Sequence, residues 1–229
     1  MKILAIIPAR GGSKGIPNKN ILEIKELPLI AHTIIPSLTL VKEGLISKLI
    51  VSTDSSEIGQ IAEKYGAEFP FIRPEEISGD KAKSIDLIKH AIEFYKDKGE
   101  YYDAVLLLQP TSPLRTSDDI RNAIILFCEN NNDSLISAYE EEYINDLVMY
   151  KKATDGNTSV PLNSNHNKGI RRQDHGATFV RNGCIYITRL DLLEKDLIIG
   201  ETPLLYIMPK SKSINLDTIE DVEILKRVL

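Results

Sequence analysis

Cysteine is scarce in this chain. Cys128 and Cys184 are the only two among 229 residues, and they stand far apart in apolar contexts. That rules against a disulfide framework and favours a buried free thiol at each position over a metal ligand. The four histidines, His32, His90, His166 and His175, are too scattered to suggest a metal cluster, and each suits a helix face or a loop. Positive charge is not in excess either. The net charge is −5, so nothing points to a nucleic-acid-binding surface. No apolar run approaches the roughly 20 residues that cross a membrane. The first residues carry one lysine and a strand pattern rather than a signal peptide, and the expected location is a reducing cytoplasm. Two nucleotide signatures are also missing. There is no Gly-x-x-x-x-Gly-Lys-[Ser/Thr] run, which excludes a P-loop, and no Gly-x-Gly-x-x-Gly run, so no dinucleotide fingerprint supports a dehydrogenase. Internal repeats and low-complexity tracts are absent.

What is present is an ordinary soluble composition, with 42% hydrophobic and 27% charged residues. Its length fits one α/β domain with a full core. The most informative stretch runs from Ile6 to Asn20. Lys2 to Ile7 reads as a strand buried on both faces, and Pro8, lacking an N–H, ends it. The loop that follows holds three glycines (Gly11, Gly12, Gly15) and three cations (Arg10, Lys14, Lys19). Glycine lets backbone N–H groups approach a ligand closely, and cations beside such a backbone suit a polyphosphate. A nucleoside triphosphate site is the chemical reading; a glycine-rich surface turn with solvated lysines is the plain one.

Strand and helix patterns then alternate. Leu29–Leu40 reads as a helix with Pro28 in its first turn, Lys48–Ser52 as a strand, and Glu57–Tyr65 as a helix stopped by Gly66. Ser84–Lys96 shows one apolar helix face. Ala104–Leu108 is a further buried strand, Ser117-Asp118-Asp119-Ile120 opens a helix with acids at its N-terminus, and Leu135–Ala138 follows as a strand. The alternation predicts an α/β fold, a mainly parallel sheet with helices on both faces. Ligands in such sheets bind beyond the carboxyl ends of the strands. Arg10, Asp54 and Gln109 all fall there. From Glu140 to Gly176 the rhythm breaks, with dense Asn, Asp, Ser and Gly.

Six motifs together resemble the cytidylyltransferases that activate acidic sugars, the N-acylneuraminate enzymes and their legionaminate, pseudaminate and Kdo relatives. They are the run Ile6–Asn20, Val51-Ser52-Thr53-Asp54, Arg73-Pro74-Glu75-Glu76-Ile77-Ser78-Gly79-Asp80, Leu107-Leu108-Gln109-Pro110-Thr111-Ser112-Pro113-Leu114-Arg115, Asn182-Gly183-Cys184-Ile185-Tyr186-Ile187, and Ser213-Ile214-Asn215-Leu216-Asp217-Thr218. The resemblance implies a Rossmann-like nucleotidyltransferase domain over residues 1–229, with 140–176 as an arm that packs on a second subunit and lends residues to its site. It implies transfer of CMP from CTP to the anomeric hydroxyl of an acidic nine-carbon 2-keto sugar of the N-acylneuraminate or legionaminate type. A pseudaminate or Kdo-type sugar, or a nucleotide-binding protein of this fold without turnover, is the alternative.

The same resemblance assigns residues. Arg10, Gly11, Gly12, Ser13, Lys14, Asn20, Arg73 and Ser84 are implied nucleotide contacts. Arg10, Lys19 and Asp217 are the implied catalytic residues. Gln109, Arg172, Gln173 and Tyr186 are implied at the acidic sugar. Magnesium is the implied cofactor, held by Asp217 with Asn215 beside it. Asp217 otherwise reads as a cap of the last helix. Two departures bear on this reading. Sialate-type relatives carry two aspartates two residues apart, but Asn215 occupies the first position here, and an amide accepts no proton. A lysine found early in the arm of those relatives has no counterpart in Tyr143-Ile144-Asn145-Asp146-Leu147. Pro-Thr-Ser-Pro after Gln109 favours the sialate-like branch over the Kdo enzymes.

Overall fold

The computed structural model describes residues 1–12, 15–154, 156–169 and 176–229. In chain order the elements are β1 (Ile3–Pro8), the two-residue strands β2 (Glu23–Ile24) and β3 (Leu27–Pro28), α1 (Ala31–Lys42), β4 (Lys48–Ser52), α2 (Ser56–Lys64), α3 (Ser84–Lys96), β5 (Ala104–Leu107), α4 (Ser117–Cys128), β6 (Ser134–Glu141), β7 (Tyr150–Lys152), β8 (Ser159–Pro161), β9 (Thr178–Arg189), the short α5 (Leu190–Leu193), β10 (Leu204–Ile207) and α6 (Ile219–Val228). Six strands form the central sheet in the order β10-β6-β9-β5-β1-β4. β1 pairs in parallel with both β4 and β5, and β10 with β6; β9 alone runs antiparallel, between β5 and β6. The sheet is mostly parallel, as the alternating pattern predicts.

Strand β1 shows how the layers are built. Ile3, Ala5 and Ile7 face one side, where they meet Ile34 and Leu40 of α1, Ile58 of α2, and Ile124 and Phe127 of α4. Leu4 and Ile6 face the other side, against Ile85, Ile88, Ala91 and Tyr95 of α3. Side chains alternate across a strand, so a strand covered on both faces needs an unbroken apolar run, which Ile3–Ile7 supplies. A third cluster lies apart from the sheet. Ile16, Ile24 and Leu29 from the N-terminal loop and hairpin pack on Leu216, Val222 and Leu225 from the C-terminal segment and α6. This cluster brings the two chain ends together, and it sets the geometry of the site described next.

Three local expectations change. Pro28 lies in β3, opposite Glu23, and the helix starts only at Ala31. The Leu29 N–H donates to Leu22 O and the Ile30 N–H to Asn20 O, both at 2.9 Å, which holds this stretch against the preceding loop instead of in a helix. The strand expected at Leu135–Ala138 extends over Ser134–Glu141, because β9 continues to pair with it as far as Thr178. Cys128 is exposed, whereas Cys184 is buried as expected; Cys128 is the last residue of α4 and lies past the layer that covers Phe127. In the 140–176 stretch, β7 and β8 form a separate antiparallel hairpin. No described helix is long and apolar enough to cross a membrane.

Candidate active site

Beyond the carboxyl ends of β1 and β5 lies a cavity of about 420 Å³, lined among others by Arg10, Lys19, Asn20, Arg73, Ser84, Gln109 and Asp217. Seven of the residues implied by the sequence therefore converge from separate parts of the chain. Each is placed by a traceable contact. Ala9 donates its N–H to Ser52 O at 3.0 Å, extending the β1–β4 ladder by one residue and delivering Arg10 to the rim. Asn20 is buried, and its Nδ2 donates to Arg10 O at 2.9 Å, so it closes the glycine loop on itself. Lys19 stands in a short 3-10 turn (Lys19–Ile21). Its ammonium donates to Leu216 O at 2.9 Å and Asp217 Oδ1 at 3.0 Å. Leu216 N–H in turn donates to Thr111 O at 2.8 Å, which ties the Asp217 segment to the turn after β5 that carries Gln109.

Arg73 is the most buried cation of the rim, 4% exposed. Its backbone N–H donates to Thr53 O at 2.7 Å, its Nε to Ser78 Oγ at 2.9 Å, and its Nη2 lies 4.0 Å from Asp54 Oδ1. Burial holds its guanidinium below the usual arginine range, Asp54 pulls it up, and Arg10 pushes it down. Asp54 Oδ1 also accepts the Gly11 N–H at 2.8 Å. Gly11 therefore orients the loop through Asp54 rather than lining the cavity. Ser84 is the first residue of α3, where the positive end of the helix dipole favours an anion. Behind the wall, Arg115 is buried and donates to Cys184 O at 2.5 Å and Thr33 Oγ1 at 2.9 Å. Burial lowers it to about 10, so it stays charged at neutral pH.

Such a cavity suits a polyanion: among the described residues three cations and a helix N-terminus face it, and its two acids, Asp80 and Asp217, each pair with one of those cations. A family model described as cytidylyltransferase matches residues 4–223. The chain belongs to the cytidylyltransferase family. It is 35% identical over 227 residues to the pseudaminic acid cytidylyltransferase of Campylobacter jejuni serotype O:2, covering 99% of this chain and 95% of that protein. It is 37% identical over 228 residues to the N-acylneuraminate cytidylyltransferase of Escherichia coli O18:K1:H7, covering 97% of this chain and 51% of the relative. Its fold matches a solved CMP-2-keto-3-deoxy-manno-octonic acid synthetase complexed with CTP, with a TM-score of 0.72 and 17% identity, over 100% of this chain and 98% of the other.

In this cytidylyltransferase the other implied residues fall as follows. Gly12 has open space around it and, like Gly11, lies off the cavity wall. Tyr186 sits on β9 opposite Leu107 and packs against the α3 side of the core; it is not among the residues that line the cavity. Asn215 lies behind Asp217 and donates from Nδ2 to Asp217 Oδ2 at 2.6 Å. Ser13, Lys14, Arg172 and Gln173 lie outside the described residues. The sequence reading missed two contributors. Gly15 lines the cavity with no room for a side chain: a Cβ there would come within 2.7 Å of Asp217 O. Asp80 pairs with Arg10 at 2.9 Å. Asp80 closes one of the six motifs, but nothing in the motif names its partner.

The donor set also bears on magnesium. Among the described residues no three His, Cys, Asp or Glu side chains group as a metal site. Asp217 is one of two carboxylates that line the cavity among the described residues, with Asp80 paired to Arg10; the Asp217 side chain is 62% exposed, with one N–H donor on each oxygen. A carboxylate offers about four lone-pair positions, so lone pairs remain. Magnesium commonly takes one or two carboxylates and completes its shell with phosphates and water. The residues present fit that arrangement with Asp217 as the anionic ligand.

Proposed function

We propose that this enzyme transfers CMP from CTP to the anomeric hydroxyl of an acidic nine-carbon 2-keto sugar of the N-acylneuraminate or legionaminate type. The new bond joins the sugar oxygen to the α-phosphorus, the α–β phosphoanhydride breaks, and pyrophosphate leaves with its electrons while the hydroxyl gives up its proton. The observation that carries this reading is the convergence of Arg10, Lys19, Arg73 and the α3 N-terminus on one cavity that also holds Gln109. Arg10 and Lys19 are assigned to the triphosphate, where preset positive charge stabilises the negative charge that builds up in transfer. Arg73, Asn20 and Ser84 are assigned to the nucleoside end, and Gln109, with both a donor and an acceptor, to the sugar. Asp217 would hold magnesium with Asn215 beside it, and the ion would supply further neutralisation of the phosphates. The Asn215 amide has no basicity for the hydroxyl proton, and its N–H already serves Asp217.

A pseudaminate-type sugar is the second reading, favoured by the name of the Campylobacter relative matched over 99% of this chain. One assay tests both: pyrophosphate release from CTP with a panel of N-acylneuraminic, legionaminic, pseudaminic and Kdo acids. Turnover with N-acylneuraminic or legionaminic acid supports the proposal and identifies the sugar, and turnover with pseudaminic acid alone supports the second reading. Equal turnover with ATP or UTP defeats the cytidylyltransfer assignment, and CTP binding without turnover on any acid leaves a nucleotide-binding protein.

We also infer a homodimer with residues 140–176 in its interface. The support is chemical. Tyr143, Ile144, Val148, Tyr150, Val160 and Leu162 are all large, apolar and at least 41% exposed in this one stretch, and exposed apolar surface of that kind marks protein contacts. Sedimentation of the full chain tests it.

A further inference from the structure

We propose that Asp80 competes with a ligand's phosphates for Arg10 and so lowers the affinity of the nucleotide site for phosphate-bearing ligands. The inference rests on the nucleotide reading given above. Arg10 Nη1 and Asp80 Oδ1 are 2.9 Å apart, and their side chains are 33% and 45% exposed. Both residues line the cavity, so the pair stands in the space a ligand would fill.

The local chain keeps Asp80 at that position. Upstream, Ser78 is fixed by two bonds: its Oγ accepts from Arg73 Nε at 2.9 Å and donates to Pro74 O at 2.7 Å. Downstream, a turn closed by Ala82 N–H to Gly79 O at 3.0 Å leads into α3, whose first turn is held by Lys83 N–H on Asp86 Oδ2 at 3.1 Å. Asp80 sits at the apex of this turn, next to Gly79, which has open space around it.

Charge then decides which ligands enter. A guanidinium binds carboxylates and phosphates with the same forked geometry, so Asp80 and a phosphate compete for Arg10. An exposed ion pair contributes little net stability, and a triphosphate, with many charged oxygens, displaces it. Once displaced, Asp80 and the phosphates repel each other at short range, which further weakens binding relative to a site without the acid. Cytidine has no phosphate, gains nothing from Arg10 and meets no repulsion. Asp80 therefore lowers affinity selectively for phosphate-bearing ligands and keeps Arg10 neutralised when none is bound.

The test uses the full chain, the variants Asp80→Asn and Asp80→Glu, and buffer with a chelator, so that metal binding does not contribute. Calorimetric titrations with CTP and with pyrophosphate are compared with cytidine binding followed by ligand-observed NMR. Asp80→Asn should tighten CTP and pyrophosphate by roughly two- to fivefold, and the gain should shrink in high salt. Cytidine binding should not change, and Asp80→Glu, which restores the charge, should return both affinities to the parent's. If Asp80→Asn binds CTP no more tightly than the parent, Asp80 does not compete with phosphate and the inference is overturned. An equal gain for cytidine also overturns it, because the effect would then be on cavity shape. A parent chain that fails to bind CTP at all defeats the nucleotide reading and this inference together; CTP binding without the Asp80→Asn gain defeats this inference alone.

Discussion

Replacing Gly15 by alanine should slow the reaction much more than it weakens the fold. The added methyl would lie 2.7 Å from Asp217 O, and even weak C–H···O contacts sit at about 3.3 Å or beyond, a misfit of roughly 0.6 Å. The opposing atom is backbone, so no side-chain rotation relieves it. Either the loop carrying Arg10 and Lys19 or the segment carrying Asp217 must move. Overpacking of this kind costs about 1–3 kcal/mol. The lower end applies here because Gly15 borders an open cavity, and about 1 kcal/mol lowers Tm by about 2–4 °C in a chain of this size. Catalysis is more sensitive. The same shift pulls Lys19 from Leu216 O at 2.9 Å and Asp217 Oδ1 at 3.0 Å, and a displacement of about 1 Å can cost 10²-fold. The expected loss in kcat is on the order of tenfold. Pyrophosphate release at saturating CTP and sugar, paired with a melting curve, measures both. A kcat within twofold of the parent would refute the claim that Gly15 sets the spacing of the site. A Tm lower by far more than 10 °C would instead make it a folding residue.

The remaining predictions concern single roles. Arg10→Ala should cut turnover by on the order of 10²-fold, since one preset charge is removed from the transferring phosphate; steady-state kinetics showing a change in sugar KM alone would move Arg10 off the triphosphate. Asp217→Asn should abolish most magnesium-dependent turnover, and Asn215→Asp should keep or raise activity with a lower magnesium requirement, because it adds a second hard anionic ligand. Rate measured against magnesium concentration decides, and a parent-like titration for Asp217→Asn would place the metal elsewhere. Sedimentation should show the full chain as a dimer and a 140–176 deletion as a monomer with its CTP site largely intact; a monomeric parent at working concentration would refute the interface.

The central layers were legible because their cause is local. Ile3–Ile7 had to be apolar at every position once both faces were covered, and Ser84–Lys96 shows its buried stripe at helical spacing. Pro28 was misread because fixed φ and a missing N–H suit either a helix start or a short edge strand. What decided it was the bonding of Leu29 and Ile30 to Leu22 and Asn20, which no local pattern encodes. The motifs supplied the site's members, but not its pairings. Lys19 and Asp217 are 198 positions apart, and they meet only because Ile16, Ile24 and Leu29 share a small core with Leu216, Val222 and Leu225. The roles of Asp80 and Gly15 were not legible for the same reason: one matters through Arg10 and the other through Asp217 O, and both contacts exist only after the chain has folded.

The sequence left Asp217 with two roles, ligand or helix cap, and the contacts around α6 separate them. Thr218 is the N-cap: its Oγ1 accepts from Asp221 N–H at 3.3 Å. Asp221 returns the interaction, with Oδ2 accepting from Thr218 N–H at 2.7 Å and from Asp217 N–H at 3.0 Å. These bonds, with the Asp217 backbone N–H as their first donor, hold the carboxylate of Asp221 below the usual range even against its slight burial. The end of the helix is thus satisfied by Thr218 and Asp221, while the Asp217 side chain turns to Lys19 and Asn215 at the cavity. A residue that only capped the helix would keep its function in Asp217→Asn, since asparagine caps as well as aspartate does. A residue that anchors Lys19 and a metal would lose it at nearly unchanged Tm. The contacts tie the Asp217 side chain to Lys19 and not to the helix cap; the metal is the proposed part of its role, and the paired melting and magnesium measurements test it in a single variant.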